Sequence, residues 1–202
     1  KGFYLGKYEV TQAQYEAVMT GNTDSLSATP SQWPNNPNRP VEKVSWADAQ
    51  IFLTRLNAQQ SANIPAGWAY VLPTESQWEY ACRAGTTTAY SWGNTIASSN
   101  ANWNHGADPN QTVDVGQFSA NPWGFFDMHG NVWEWTADWY QAAYPTGNPV
   151  ADPSGPASGS LRVKRGGSWG DDGTTLRSAL RNYLTPSTRN YNIGFRVGFQ
   201  QQ

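Results

Sequence analysis

Apolar and polar positions along the first 85 residues change period three times, each time at a hydroxyl residue. FYLGKYEV (3–10) reads as a strand and runs into Thr11, with Gln14 three residues on, so the Thr11 hydroxyl can cap a helix while Gln14 reaches back. That helix is expected to reach about Thr20 and to stop at Gly21. After a loop rich in Asn, Pro and Ser (22–40), Trp46, Ala49, Phe52, Leu53 and Leu56 fall on one face of a second, longer helix, capped by Ser45 with Asp48 at its third position. LPTESQWEYACRAG (72–85) repeats the device, with Thr74 as cap, Gln77 reciprocating, Trp78 and Cys82 facing inward and Gly85 ending the helix.

Past residue 85 the helical period is lost. Short apolar pieces, many Trp and turns such as Pro122-Trp123-Gly124 take over, 151–160 (ADPSGPASGS) reads as a connector, and strands are expected at 161–164 and 193–199. No repeat or composition shift divides the chain, so one domain spanning 1–202 is expected, of α+β class with few helices, short antiparallel strands and much irregular structure.

Composition supports that picture: 38% hydrophobic and 14% charged residues with 19 Gly, 13 Pro and 11 Trp describe a loop-rich chain anchored by aromatics. A net charge of −2 carries no footprint for nucleic acid or an anionic membrane. No apolar run approaches the roughly 20 residues of a membrane span. Six Arg, at positions 162, 165, 177, 181, 189 and 196, nevertheless gather near the C-terminus.

The candidate chemistry is sparse. Cys82 is alone, so an internal disulfide and a multi-cysteine metal site are excluded, and its helical position suits a buried thiol. His105 and His129 lack the i, i+4 spacing of a helical metal site. Ser168 lies in no nucleophile elbow. Asp127, Glu134 and Asp138 are crowded among aromatics, which suits structural roles better than acid–base work.

GKYEVTQAQY (6–15), PVEKVSWADAQIF (40–52), LPTESQWEYACRAG (72–85), GFFDMHGNVWEWTADWY (124–140), RVKRGGSW (162–169) and NIGFRV (192–197) together resemble the formylglycine-generating enzyme family, also called the sulfatase-modifying-factor domain. The resemblance implies a C-type-lectin-like fold whose N- and C-terminal strands pair. It also implies structural calcium on the Asp127 side chain, the Gly130 and Val132 carbonyls and the Glu134 side chain. These are hard oxygens of the kind calcium takes, while the same block read simply as core would pair Glu134 with an Arg. Active members carry a copper-binding cysteine pair after the RGGSW-like block. Here that place reads GDDGTTLRSALRN, so no copper and no formylglycine chemistry are expected.

A second branch of this fold, the variable proteins of diversity-generating retroelements, resembles the frame RGGSW…RSA.RN…PS.RN.NIGFR of 165–197. In that branch adenine-directed mutation rewrites chosen positions, and Asp, Thr, Tyr, Leu and Asn are all reachable from an Asn codon. The resemblance implies a protein-binding face on Asp171, Asp172, Thr174, Thr175, Leu180, Tyr183, Leu184, Thr188 and Tyr191, with Arg177, Arg181, Arg189 and Arg196 pinning the ribbon beneath it. It further implies display at a cell surface or virion. Two alternatives stay open: a non-diversified binding or structural module of the family, and an enzyme with a cysteine-independent site, as in siderophore maturation.

Overall fold

The computed structural model describes residues 2–106, 110–143 and 150–202. Three α-helices form where the capping boxes lie: α1 (Gln12–Met19), α2 (Trp46–Gln59) and α3 (Glu75–Arg83), with both reciprocal bonds present at each N-terminus. α3 ends on Ala84 and Gly85 in the left-handed region, at φ 47° and 88°. Beyond it the described residues hold a short 3₁₀ turn but no further α-helix.

Two sheets organise the rest. β1 (Phe3–Leu5), β7 (Gly198–Gln201) and β2 (Trp68–Val71) form one, in the antiparallel order β1-β7-β2. The N- and C-terminal strands therefore pair, as the family resemblance implies. β3 (Trp133–Trp139), β4 (Arg162–Arg165), β5 (Asn182–Leu184) and β6 (Ile193–Phe195) form the other, in the order β5-β4-β3-β6. β3 and β6 run parallel, whereas the other strand pairs among the described residues are antiparallel.

The strand expected over 3–10 is only three residues long. The chain leaves the first sheet after Gly6, whose N–H donates to the Val197 carbonyl at 2.7 Å, and Val10 then donates to Phe195 at 2.9 Å. The expected strand 193–199 splits in two, because the chain crosses from one sheet to the other at Arg196.

β3 alternates Trp133, Trp135 and Trp139 with Glu134, Thr136 and Asp138, and both sets are covered. Trp133 and Trp135 join Tyr15, Met19, Phe52, Leu53, Ile193 and Phe195 in the main core beside α1 and α2. On the other face Trp78, Ala81, Cys82 and Met128 form a second cluster with α3. The polar set survives burial only because each member is bonded. Glu134 takes Arg196 Nη2 at 2.8 Å and Nε at 3.0 Å, with Trp78 Nε1 at 2.8 Å. Asp138 accepts the Glu75 N–H at 2.6 Å, at the start of α3.

Removing one member of the Glu134–Arg196 pair strands a charge in the core. Arg196→Ala should therefore cost about 3–5 kcal/mol in urea unfolding; a loss below about 1 kcal/mol would show that the pair contributes little.

Candidate functional site

Near its start the ribbon 165–197 carries two glycines whose backbone conformation a side chain would strain. Gly166 and Gly167 sit at φ 97° and 75°, and a Cβ on Gly167 would lie 2.7 Å from Leu176 Cδ1. The turn they make buries Ser168, whose hydroxyl donates to Asp171 Oδ2, and Trp133 Nε1 donates to the same oxygen at 2.8 Å. Asp172 caps a 3₁₀ turn (Gly173–Leu176), accepting from Thr174 N at 2.8 Å and from both threonine hydroxyls. Leu176 fills a third small core with Tyr90 and Ala101. The chain then returns along β4 as β5 and crosses to β6 over the start of α2, where Ala47 and Lys43 donate to the Pro186 and Asn190 carbonyls at 3.3 and 3.0 Å.

Arginines hold the ribbon as expected, with one correction. Arg196 is buried on Glu134. Arg181 grips Glu75 at 2.5 and 2.7 Å. Arg189 grips Asp48 at 2.6 and 2.7 Å, on the carboxylate that also completes the α2 capping box. Arg177 does not pin the core: it is exposed and donates to the Thr174 carbonyl of its own turn, three residues away. Arg165, fully buried, takes the place assigned to it, bonding Glu79 and the Ser178 and Leu180 carbonyls.

None of the nine face residues is buried. Asp172, Thr174, Tyr183 and Tyr191 are exposed, and Asp171, Thr175, Leu180, Leu184 and Thr188 are half-buried. The turn gathers Asp171, Asp172, Thr174 and Thr175. Tyr183 lies on Tyr140 with ring centroids 3.9 Å apart, Thr188 meets the Thr185 hydroxyl at 2.7 Å, and Tyr191 packs on Trp169 and Trp33. Among the described residues no ring contact joins Tyr183 to Tyr191. Leu180 and Leu184 also pack against the main core, and the Asp171 carboxylate is held from two sides, so these three share the work of the frame.

Sequence reasoning passed over Trp33, Glu42, Lys164 and Asn192, which the fold brings to the same end. Lys164 Nζ lies 3.9 Å from the Trp133 ring centre, and burial lowers its pKa to about 8 despite Asp171 nearby. Burial also raises Glu42 to about 7 although Gln32 and Trp33 donate to it. The sole signal for Trp33 was a large aromatic among Pro and Asn in a loop.

The one thiol is not poised for chemistry. Cys82 Sγ lies 3.5 Å from His129 Nε2, but that nitrogen accepts the Ser91 N–H while Nδ1 faces the Leu176 carbonyl at 2.7 Å. Burial pushes Cys82 up to about 12 and His129 down to about 4, so both are neutral. His105 is exposed.

At the 127–134 turn three carboxylates, Glu9, Asp127 and Glu134, share one guanidinium, Arg196. Burial and then Asp127 raise Glu9, and burial raises Asp127 to about 6. Asp127 stands at φ 56° with Oδ2 accepting the Gly116 N–H at 2.7 Å, while its buried Oδ1 has no partner. Among the described residues neither the Gly130 nor the Val132 carbonyl accepts a hydrogen bond. Asp127 Oδ1 and the two carbonyls are unbonded hard oxygens of the kind calcium takes, whereas both Glu134 oxygens are already taken by Arg196 and Trp78. No group of three His, Cys, Asp or Glu side chains able to hold a metal occurs among the described residues, so backbone carbonyls would have to complete such a site.

A domain with these capped helices, paired terminal strands and an arginine-framed ribbon is of the formylglycine-generating-enzyme type. The chain matches the Sulfatase-modifying factor enzyme 1-like domain over residues 1–200 and belongs to that family. It is 35% identical over 178 residues to the formylglycine-generating enzyme of Streptomyces coelicolor, covering 79% of this chain and 52% of that protein, so the chain spans about half the length of such relatives. Treponema denticola variable protein 1 superposes with a TM-score of 0.83 at 28% identity, over 97% of this chain and 84% of that one. PvdO from Pseudomonas aeruginosa gives the same TM-score and identity over 98% and 80%.

Two measurements follow from the geometry. Arg181→Ala should destabilise by roughly 1–3 kcal/mol, whereas Thr188→Ala and Tyr183→Ala should stay within about 0.5 kcal/mol; equal losses would erase the division between frame and face. Glu42 binds its proton more tightly folded than unfolded, so its contribution to stability is full below 4.5 and is lost as pH rises through about 7. Glu42→Gln should flatten the melting profile across that window, and an unchanged slope would assign it to other groups.

Proposed function

We propose that this chain is a non-catalytic binding domain that presents the solvent side of 165–197 to a protein partner, as the variable protein of a diversity-generating retroelement. One observation carries this reading: four exposed and five half-buried residues of mixed chemistry ride on a ribbon in which Arg165, Arg181, Arg189 and Arg196 are spent on carboxylates of the scaffold. Side chains at the surface can then change without loosening the scaffold. Tyr offers a large, stiff contact area, while Thr and Asp adapt their hydrogen bonds. Likeness to a Treponema variable protein supports the reading.

Randomising 174, 175, 183, 188 and 191 in a displayed library should yield binders to a chosen protein that melt within about two degrees of the parent. Collapse of most clones would overturn it. In the genome, a nearby reverse transcriptase and a near-copy of the DNA for 165–197 differing at adenines would separate it from a non-diversified module.

Formylglycine chemistry has no thiol pair to use after Trp169. The protein should leave a cysteine-containing sulfatase peptide unconverted with copper supplied; copper-dependent turnover would reverse the assignment. A second reading is an enzyme of the family with a cysteine-independent site, supported by the likeness to the formylglycine-generating enzyme of Streptomyces coelicolor.

Calcium on Asp127, Gly130, Val132 and Glu134 belongs to the same proposal, as a support for the turn beneath the ribbon. A hundredfold excess over Kd should stabilise the fold by roughly 2.7 kcal/mol. A melting temperature indifferent to chelator and to added calcium would remove the ion.

A further inference from the structure

Three buried polar atoms without partners belong to one group of rings, or to residues next to it in the chain or hydrogen-bonded next to it. Trp33 and Trp169 meet edge to face with centroids 5.5 Å apart, Tyr191 lies 6.2 Å from Trp33 and 5.7 Å from Trp169, and two of the three interplanar angles are near 80°. Tyr191 is the outermost ring, 47% exposed. Trp169 Nε1, Oδ1 of Asn192 next to Tyr191 in the chain, and Oε2 of Glu42, whose Oε1 is bonded one residue before Trp33, lack any hydrogen bond.

Local contacts bring these atoms together. Glu42 Oε1 accepts the Gln32 N–H at 2.7 Å, one residue before Trp33. Lys43 donates its N–H to the Asn190 carbonyl, which sets Glu42 beside the 190–192 segment. Asn192 Nδ2 donates to Ser168 Oγ at 3.2 Å, next to Trp169. Glu42 is wholly buried, flanked in the chain by the core residues Val41 and Val44 just before α2, and its Oε2 has no partner.

The chemistry selects a cation. Ring faces are the negative side of an aromatic quadrupole and attract ammonium groups. Glu42 and Asn192 offer two free acceptors, suited to N–H donors, and the Glu42 carboxyl repels an anion. Trp169 Nε1, the lone free donor, suits a backbone carbonyl of the segment that carries the cation. Lys43, the neighbouring cation, is turned outward with Nζ toward Gln32 Oε1 at 3.4 Å.

Resting on the binding reading above, we infer that Trp33, Trp169 and Tyr191, backed by Glu42 and Asn192, form an aromatic cage for the ammonium head of a lysine side chain on the partner protein. Tyr191 is the wall that swings to admit it. Because Tyr191 is also one of the changeable positions, the cage would be present in some versions of the ribbon and missing in others, while Trp33 and Glu42 lie outside the ribbon and stay.

The test follows the indole N–H resonances of the whole protein by NMR, with n-butylammonium as the probe and n-butanol as its neutral isostere. Trp33 and Trp169 should shift saturably with butylammonium and at least about tenfold more weakly with butanol. Tyr191→Ala and Glu42→Gln should each weaken the response about tenfold; the first changes an exposed ring, and its melting temperature reports that the fold persists. Equal responses to the two probes, no saturable shift, or a Tyr191→Ala protein that responds like the parent would overturn the cage. If library-selected partners still bind through Thr174, Tyr183 or Thr188 while butylammonium shifts nothing, the cage fails and the binding face stands; if no partners are selected although butylammonium binds, the reverse holds.

Discussion

The buried pair of Glu134 and Arg196 is the joint on which the molecule turns. Burying two charges is unfavourable unless every polar atom finds a partner, and here the partners come from all sides. The guanidinium reaches Glu134 in β3, the Gly6 carbonyl after β1 and the Phe126 carbonyl, and the carboxylate takes the Trp78 indole of α3 as well. The two sheets, a helix and the 127–134 turn are thus tied at one point. Arg196 is also where the chain passes from β6 to β7, so the crossing residue and the fastening residue are the same.

The ribbon repeats this economy at its margins. Arg165 joins Glu79 and lies 3.5 Å from Glu75, Arg181 bonds Glu75, and Arg189 bonds Asp48, so the carboxylates come from the first turns or the body of α2 and α3. Asp48 closes the α2 capping box with the same carboxylate that receives Arg189. Irregular backbone is held in place by regular structure, through long side chains rather than through a hydrogen-bonded ladder.

All three helices were legible because capping boxes are local: the donor and acceptor lie within three residues of each other. The pairing of the terminal strands came with the family resemblance, and the Glu134–Arg salt bridge came from reading the 124–140 block as core. β2, β3 and β5 were harder. β3 looks like a cluster of tryptophans, and its period of two has no solvent side, since Glu134 and Asp138 are bonded by residues far along the chain. Arg177 was misread for the same reason, because a bare sequence does not say which arginine faces a carboxylate. Trp33 and Glu42 were missed because they lie well over a hundred residues from the ribbon they meet.

The register of β1 on β7 has a mechanical side. Phe3 stands opposite Gln200 and Leu5 opposite Gly198, so the outer ends of both strands leave the sheet in the same direction. Tension applied at those two ends would open the hydrogen bonds one after another, like a zip, instead of loading them together in shear. The first sheet would give way early under pull, while the four-stranded sheet and its arginine-held ribbon, fastened from inside the chain, would feel the load only after Arg196 had been drawn out of its pocket.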